Sequence, residues 1–308
     1  MDVIPVEYPV PSQETSLELC RQLEHGHILM LAKTPFMPSE EDCEFLRAQR
    51  QSESKAHKNI AYKPHLDRAT GTTGQAAEDG ERLHRILAQY SRGALAFLGE
   101  MFPNYARVWK VDYASFRPVE EEGRVLPLRH RNDLMHLDAF PTRPTHGGRI
   151  LRAFTNLHPT KDRVWGTSDS FEALAERYAE AAGLKQVTSP LSAARRRAAR
   201  AGRLVGLKVP ARSPYDEFML NFHHFLKSNE AFQKTGRRHT FAFPPGATWI
   251  CFTDQIGHSV LSGQYALEQT CIVPYEAMVQ PELSPIAVLE RLAGRPLTDS
   301  REAGRIPA

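Results

Sequence analysis

The sequence predicts an α+β fold: a double-stranded β-helix (jelly roll) core with flanking helices and a helical insertion. Three observations carry this. Short strand-like runs of alternating or continuous apolar character cluster in 106–160 and again in 239–275, dense enough for a β core. Between them, 160–238 turns to helical periodicity, so two separated stretches of chain assemble the core. His136-Leu137-Asp138 in the first stretch is matched by a distant His258 in the second, and a jelly roll can bring ligands from separated strands together. We expect a single domain over 1–308, with 1–105 as mostly helical support and 276–308 as a C-terminal helix and tail.

Residues 1–15 read as an extended, proline-punctuated arm, and Glu14 to Glu24 as a short helix ending near Gly26. His27 to Leu31 is a buried strand. Ser39, followed by Glu40, Glu41 and Asp42, is an N-cap with acidic residues in the first turn, so a helix runs to about Gln49. The polar stretch 50–75 reads as a loop, and its place over the site is left open. From Gln75 to Phe102, Leu83, Ile86, Leu87, Tyr90, Ala94, Phe97 and Leu98 recur at helical spacing and make one apolar stripe, of the kind that covers a sheet. Val108 to Arg117 alternates like a strand, with Trp109, Val111, Tyr113, Ser115 and Arg117 on one face. The metal-ligand segment 131–140 follows as a strand, then 147–157 as another, in which Arg152, Phe154 and Asn156 share a face. Helices are expected over Ser170–Gly183, Ser192–Leu204 and Pro214–Phe232. Strands resume at 240–243, 248–252 and 264–273, and a last helix covers Pro285–Leu292 before Gly294.

The formal net charge of +3 is too small to require a nucleic-acid partner. Cys20, Cys43, Cys251 and Cys271 lack a C-x-x-C spacing, which argues against a zinc ribbon and a disulfide scaffold and fits a reducing compartment. The opening residues lack the basic and apolar regions of a signal peptide, and no apolar run approaches membrane-spanning length. The expectation is a cytoplasmic protein able to visit a membrane surface. No Gly-rich phosphate loop, G-x-S-x-G or H-E-x-x-H is present.

On a strand, alternate side chains share one face, so His136 and Asp138 can close on one ion together. With His258 they form a two-His, one-carboxylate triad, which leaves open positions on Fe(II) for a cosubstrate and dioxygen. The region around His258, a short loop between apolar strands, is similar to the distal-ligand region of iron/2-oxoglutarate dioxygenases, and Asp254 and Gln255 could orient a ligand. The far carboxylate of a 2-oxo acid needs a cation, best an Arg fork. Many such oxygenases carry Arg or Lys on the strand after the distal His, where this chain has Gln264 and Gln269. Arg152 is therefore the expected anchor, with Asn156 beside it, Arg117 as alternative or partner, and Gln269 assisting. A second His-x-Asp, His65-Leu66-Asp67, follows Pro64 and runs into a Thr/Gly-rich stretch, so it reads as a surface loop. Adjacent His223 and His224 diverge by about 100° on a helix and read as a surface pair. Arg195, Arg196, Arg197, Arg200 and Arg203, followed by Lys208 and Arg212, suit an anionic surface. Aromatic interleaving is absent, which favours lipid over nucleic acid.

Arg131-Asn132-Asp133-Leu134-Met135-His136-Leu137-Asp138-Ala139-Phe140-Pro141, Leu151-Arg152-Ala153-Phe154-Thr155-Asn156-Leu157-His158-Pro159, Arg163-Val164-Trp165 and the His258 segment together resemble the Kdo hydroxylase family over nearly the whole chain. The resemblance implies an Fe(II)-dependent enzyme using 2-oxoglutarate and O2 to hydroxylate the 3-deoxy position of Kdo, the acidic sugar of Kdo-lipid A, giving Ko. It implies His136, Asp138 and His258 as catalytic metal ligands. It also implies a bacterial protein peripheral at the cytosolic face of the inner membrane. Arg129, Arg131 and Arg163, near the metal segment, are the expected contacts to substrate carboxylates and phosphates. No nucleic acid and no required protein partner are expected. Two other readings stand beside this: the same chemistry on another acidic metabolite or lipid, and a metal-free jelly-roll module that binds an anionic glycan or lipid.

Overall fold

Two sheets face each other around the centre of the protein. From edge to edge the larger runs β1 (Val3–Pro5), β2 (Ile28–Leu31), β9 (Thr248–Phe252), β6 (Arg149–Asn156), β11 (Ala266–Val273), β5 (Lys110–Arg117), β3 (Ile60–Lys63) and β4 (Arg68–Thr70), and the smaller β10 (Ile256–Ser262), β7 (Arg163–Ser170) and β8 (His239–Phe243). The computed structural model describes residues 1–10, 12–51, 59–71, 77–204, 206 and 212–298. At the amino end β1 (Val3–Pro5) lies parallel to β2 (Ile28–Leu31), joined by α1 (Gln13–Glu24), whose N-cap Ser12 accepts from Thr15 N. Ser39 caps α2 (Glu40–Ala48) in the same way, as its acidic first turn predicts. The strands β3 (Ile60–Lys63) and β4 (Arg68–Thr70) form the far edge of the large sheet. The parts of 50–75 at 52–58 and 72–75 lie outside the described residues. Next come α3 (Ala77–Met101), the one-turn α4 (Pro103–Ala106) and β5 (Lys110–Arg117).

Then follow β6 (Arg149–Asn156) and β7 (Arg163–Ser170), the helices α5 (Phe171–Tyr178), α6 (Leu184–Val187), α7 (Pro190–Leu204), α8 (Pro214–Ser228) and α9 (Glu230–Thr235), and the strands β8 (His239–Phe243), β9 (Thr248–Phe252), β10 (Ile256–Ser262) and β11 (Ala266–Val273). The described chain closes with α10 (Pro285–Ala293), ended by Gly294 at φ 64°.

Several expectations change. The stretch 50–75, read as a loop, contributes β3 and β4, paired antiparallel to each other at the edge of the large sheet. Arg163–Ser170 is a strand of the small sheet, so the helical insertion begins at Phe171, not at 160. The helix expected over Pro214–Phe232 is broken at Asn229, which leaves helical geometry and caps α9. His258 sits inside β10, not in a loop before a strand.

Registers explain which side chains meet. Arg152 pairs with Cys251 on one side and Thr270 on the other, and Phe154 pairs with Trp249 and Glu268. Directly paired residues point to the same face, so these side chains look between the sheets. Their neighbours Leu151, Ala153, Ile250 and Cys271 look outward, into an apolar cluster with Phe97, Leu98 and Met101 of α3. This is why α3 has one apolar stripe: it covers the outer face of the large sheet. The space between the sheets is filled at one end by Phe154, Trp165, Phe243, Trp249 and Val260. Phe243 and Trp249 stack at 4.2 Å and Phe154 and Trp249 at 5.4 Å. The other end of that space is polar.

Candidate metal centre

His136 and His258 are brought together by backbone pairing. The chain at 131–140 forms only a single bridge to β10, not the expected ladder strand. His136 N donates to His258 O at 2.9 Å and His258 N to His136 O at 2.8 Å. Residues that exchange both bonds lie opposite each other with side chains on one face, and the two rings are 4.6 Å apart. Asp138, two residues on, shares that face. Its N–H is held by Thr253 O at 2.9 Å, and its Oδ1 lies 3.7 Å from His136 Nε2. Trp165, opposite Val260 on β7, stacks on His258 at 5.2 Å and fixes the plane of its ring.

His223 departs from the surface position expected of it. α8 holds it half-buried against the centre, its ring 5.0 Å from His136. Among the described residues, His136, Asp138 and His223 are the set whose ligand atoms all lie within 4.8 Å of one another. His224 does not join that set, as the divergence of adjacent helix positions requires.

The tautomers follow from the hydrogen bonds. His136 Nδ1 lies 2.7 Å from Leu134 O, His258 Nδ1 3.1 Å from Ile256 O, and His223 Nδ1 2.6 Å from Leu137 O. A carbonyl only accepts, so each Nδ1 carries the proton and each Nε2 keeps a lone pair. Burial lowers the pKa of all three; cationic Lys227 adds to this, and His223 is pushed down to about 3. All three are neutral imidazoles at neutral pH, without a proton to compete with a metal. Burial alone would raise Asp138, but the Arg152 guanidinium beside it outweighs this and holds it below the usual carboxylate range. The donor set is thus neutral nitrogen plus carboxylate oxygen, which suits a divalent iron of the facial-triad type.

Around it lies a buried charge cluster. Arg152 Nη1 is 3.1 Å from Asp138 Oδ2 and 3.9 Å from Glu268 Oε2. Neither Asp138 Oδ2 nor Arg152 Nε has a hydrogen-bond partner among the described residues, so the contact is an ion pair without hydrogen-bond alignment. Arg117 Nε and Nη2 both reach Glu268 Oε2, at 2.8 and 2.7 Å. Two guanidinium groups and two carboxylates balance each other. A divalent cation and a doubly charged dicarboxylate would enter together without upsetting that balance.

The other expected site residues fall elsewhere. Gln269 faces the opposite side of β11, where it accepts from Ser91 Oγ of α3 at 2.7 Å and donates to Asp112 O and Thr270 O. Asn156 is fully buried and spent on structure: Nδ2 donates to Lys161 O and Phe243 O, and Oδ1 accepts from His158 N, all at 2.9 Å. Gln264 donates to Pro118 O at 2.8 Å. Arg163 is also buried, and it donates to Gly263 O at 2.9 Å. Gly263 has φ 120°, and a Cβ there would meet the Arg163 backbone at 2.9 Å, so this contact fixes the turn between β10 and β11. Arg131 forks Asp133. Arg129 is exposed, and its carbonyl accepts from Lys227. Asp254 and Gln255 hold Arg149 at 2.9 Å each instead of touching a ligand; they stiffen the turn that leads into β10. Asp67 takes Tyr62 Oη and His84 Nε2, so the competing His-x-Asp is occupied on the surface.

Sequence reading missed the aromatic and cationic path that leads outward from Arg152. Phe140 lies under Arg152 (5.5 Å) and Arg143 (4.5 Å), and Arg143 stacks on Tyr113 at 4.0 Å and bonds Asp112 at 2.9 Å. Lys63 lies 5.3 Å from the Tyr113 centroid and exposed His65 stacks on the same ring. Phe140, two residues beyond Asp138, was the available signal. Lys63 and Arg143 carried none, because only folding brings them there.

The model of the family described as 3-deoxy-D-manno-oct-2-ulosonic acid (Kdo) hydroxylase matches residues 7–296. Among solved structures the chain is similar to the Kdo hydroxylase KdoO, a non-heme Fe(II) α-ketoglutarate-dependent dioxygenase. The KdoO complex with α-ketoglutarate and Fe(III) has 33% identity over 97% of this chain and 98% of that one, with a TM-score of 0.82. The cobalt(II) complex has 34% identity with the same coverage and a TM-score of 0.84. The succinate and Fe(III) complex has 33% identity, again with that coverage, and a TM-score of 0.83. No curated protein matches the chain.

Proposed function

This chain belongs to the Kdo hydroxylase family, and from that premise we propose that it hydroxylates the 3-deoxy carbon of Kdo in Kdo-lipid A, giving Ko. It is an Fe(II)- and 2-oxoglutarate-dependent dioxygenase, which sets aside the metal-free binding module. In our reading His136, Asp138 and His258 hold the iron, and residues 1–308 form one catalytic unit. The observation that carries this reading is the opposed pair His136/His258 with Asp138 on the same face, each imidazole keeping its Nε2 lone pair. Once bound, the iron and 2-oxoglutarate activate dioxygen, so that one oxygen atom enters a C–H bond and the cosubstrate leaves as succinate and carbon dioxide.

The protein's residues supply binding, orientation and dryness. Arg152, with a buried Nε lacking an acceptor among the described residues, is the anchor for the far carboxylate of 2-oxoglutarate, and Arg117 is its partner across Glu268. Gln269 and Asn156 have no part in this. The packed rings of Phe154, Trp165, Phe243 and Trp249 exclude water behind the centre. Arg143 and Lys63, with exposed Arg129, are better placed than Arg163 to meet the carboxylate and phosphates of a Kdo-lipid. No helix among the described residues is long and apolar enough to cross a membrane. We place the protein at the cytosolic face of the bacterial inner membrane, reached through the basic residues of α7. Arg196 takes little part, since it is tied to Glu217 at 2.9 Å; Lys208 lies outside the described residues.

The test is incubation with Fe(II), 2-oxoglutarate and Kdo-lipid A, free Kdo, or lipid A without Kdo, following succinate and the product mass. Addition of one oxygen atom to the Kdo-lipid alone is the expected result. Equal turnover of lipid A without Kdo would refute the substrate assignment and favour another acidic lipid.

A further inference from the structure

Two neighbouring residues of one strand grip Arg143 together. Its Nη1 donates to Asp112 Oδ1 at 2.9 Å, and its guanidinium lies over the Tyr113 ring at 4.0 Å. Adjacent side chains of a regular strand point to opposite faces, so a regular β5 would turn one of them away. A β-bulge makes the grip possible. Val111 pairs with Cys271 and Ala114 with Gln269, which leaves Asp112 and Tyr113 together opposite Thr270. Phe140 adds a second ring at 4.5 Å, and the same ring lies 5.5 Å from Arg152. One aromatic ring thus separates Arg143 from the residue that reaches Asp138 at 3.1 Å. Burial raises the Asp112 pKa against the pull of Arg143 and then Arg152, so its carboxyl group lies in the field of both. The Arg143 side chain is 34% exposed, and among the described residues its other N–H groups have no acceptor.

We propose that Arg143 is the receptor for the carboxylate of the Kdo sugar, and that Asp112, presented by the bulge, is the positioning residue that aims it. The inference rests on the hydroxylation reading above. Two rings fix the plane of the guanidinium and Asp112 holds one of its edges. The edge that remains is a ready fork, and a carboxylate matches it in shape and charge. In Kdo a single carbon separates the carboxylate carbon from the 3-deoxy carbon. A carboxylate held by Arg143 therefore brings with it the methylene that is oxidised. Lys63, 5.3 Å from the Tyr113 centroid, is a point charge on a flexible stem; it sets no such geometry and is left for phosphate. On this assignment the enzyme selects for the acid group of the sugar itself, beside the carbon it oxidises, and not only for the overall charge of the lipid.

The experiment compares Kdo-lipid A with the same lipid whose Kdo carboxylate is converted to the carboxamide, both in detergent micelles. With the full chain loaded with Fe(II) and 2-oxoglutarate, hydroxylated product is measured in air, and binding is measured by calorimetry without dioxygen. Wild type should prefer the acid about 10- to 100-fold in kcat/KM and in affinity, the share of one charge-assisted fork. Arg143→Met should bring that ratio close to one, and Arg143→Lys, a charge without a fork, should recover only part of it. Asp112→Leu should lose most of the preference, while Asp112→Asn, which keeps an acceptor for Arg143, should retain it. Equal loss on acid and amide in the Arg143 variants, with the ratio preserved, would overturn the receptor, because a general disturbance moves both substrates together. An undiminished preference in Asp112→Leu would overturn the positioning role. Loss of the preference in Lys63→Met but not in Arg143→Met would move the carboxylate to Lys63 and overturn the assignment. A wild type that hydroxylates acid and amide equally would overturn the proposal and leave the hydroxylation reading standing; one that hydroxylates neither would overturn both.

Discussion

Replacement of Arg152 by Met tests the cosubstrate site most sharply, because it should separate two affinities that a general disturbance would move together. Arg152 and Arg117 are not equivalent in the ligand-free protein. Arg117 has Nε and Nη2 committed to Glu268, while Arg152 makes longer ion pairs at 3.1 and 3.9 Å and has an Nε without an acceptor among the described residues. An incoming carboxylate therefore gains more from Arg152. Charge-assisted hydrogen bonds contribute about 1.5–3 kcal/mol each, so loss of a two-point contact, offset by the ion pairs it displaces, should cost about 2–4 kcal/mol. That is about 30- to 1000-fold in the dissociation constant of 2-oxoglutarate. The same substitution removes a positive charge beside Asp138, so metal alone should bind no more weakly than to wild type. The assay is anaerobic titration of the Fe(II) protein with 2-oxoglutarate, following the visible charge-transfer band, beside a Co(II) titration without cosubstrate. Arg117→Met should weaken 2-oxoglutarate less. A change under about threefold in Arg152→Met, or an equal fall in both affinities in a folded protein, would refute the anchor.

Three further outcomes are expected. Arg149, buried on Phe252 at 4.3 Å and bonded to Asp254 and Gln255, leaves an uncompensated buried carboxylate when changed to Met; thermal or urea unfolding should register a loss of about 3–5 kcal/mol, and a loss below about 1 kcal/mol would show that the pair is dispensable. Burial raises the Glu268 pKa, but Arg117 and then Arg152 outweigh it and hold the pKa below the usual value. Glu268 therefore stabilises the fold above an unfolded-state pKa of about 4.3 and loses that contribution as pH falls through its lower folded value. Urea midpoints of wild type and Glu268→Gln should converge below about pH 4, and a gap that widens on acidification would contradict this. Finally, His65→Ala and Asp67→Ala should leave Co(II) affinity within about twofold of wild type, since Asp67 is taken by Tyr62 and His84; a larger loss would move the metal centre to that pair.

The sequence by itself determined features whose cause is local. The apolar stripe from Leu83 to Leu98, the serine cap at 39, and the alternation along β6 each follow from backbone periodicity or from one side chain meeting its own backbone. His136 and Asp138 belong to the same class, because a two-residue spacing on extended chain decides that they share a face. Tertiary structure alone decided where side chains separated by many residues meet. Gln269 and Arg152 differ in role because β11 and β6 are paired in one register, which turns the first toward Ser91 and the second toward Asp138. Asn156 and Arg163 look like free polar ligands in the sequence, yet loop and turn carbonyls occupy them. His223 is the clearest case. Helix geometry correctly separated it from His224, but only the packing of α8 decides that its ring meets His136, and helical periodicity carries no information about which partner a polar face will meet.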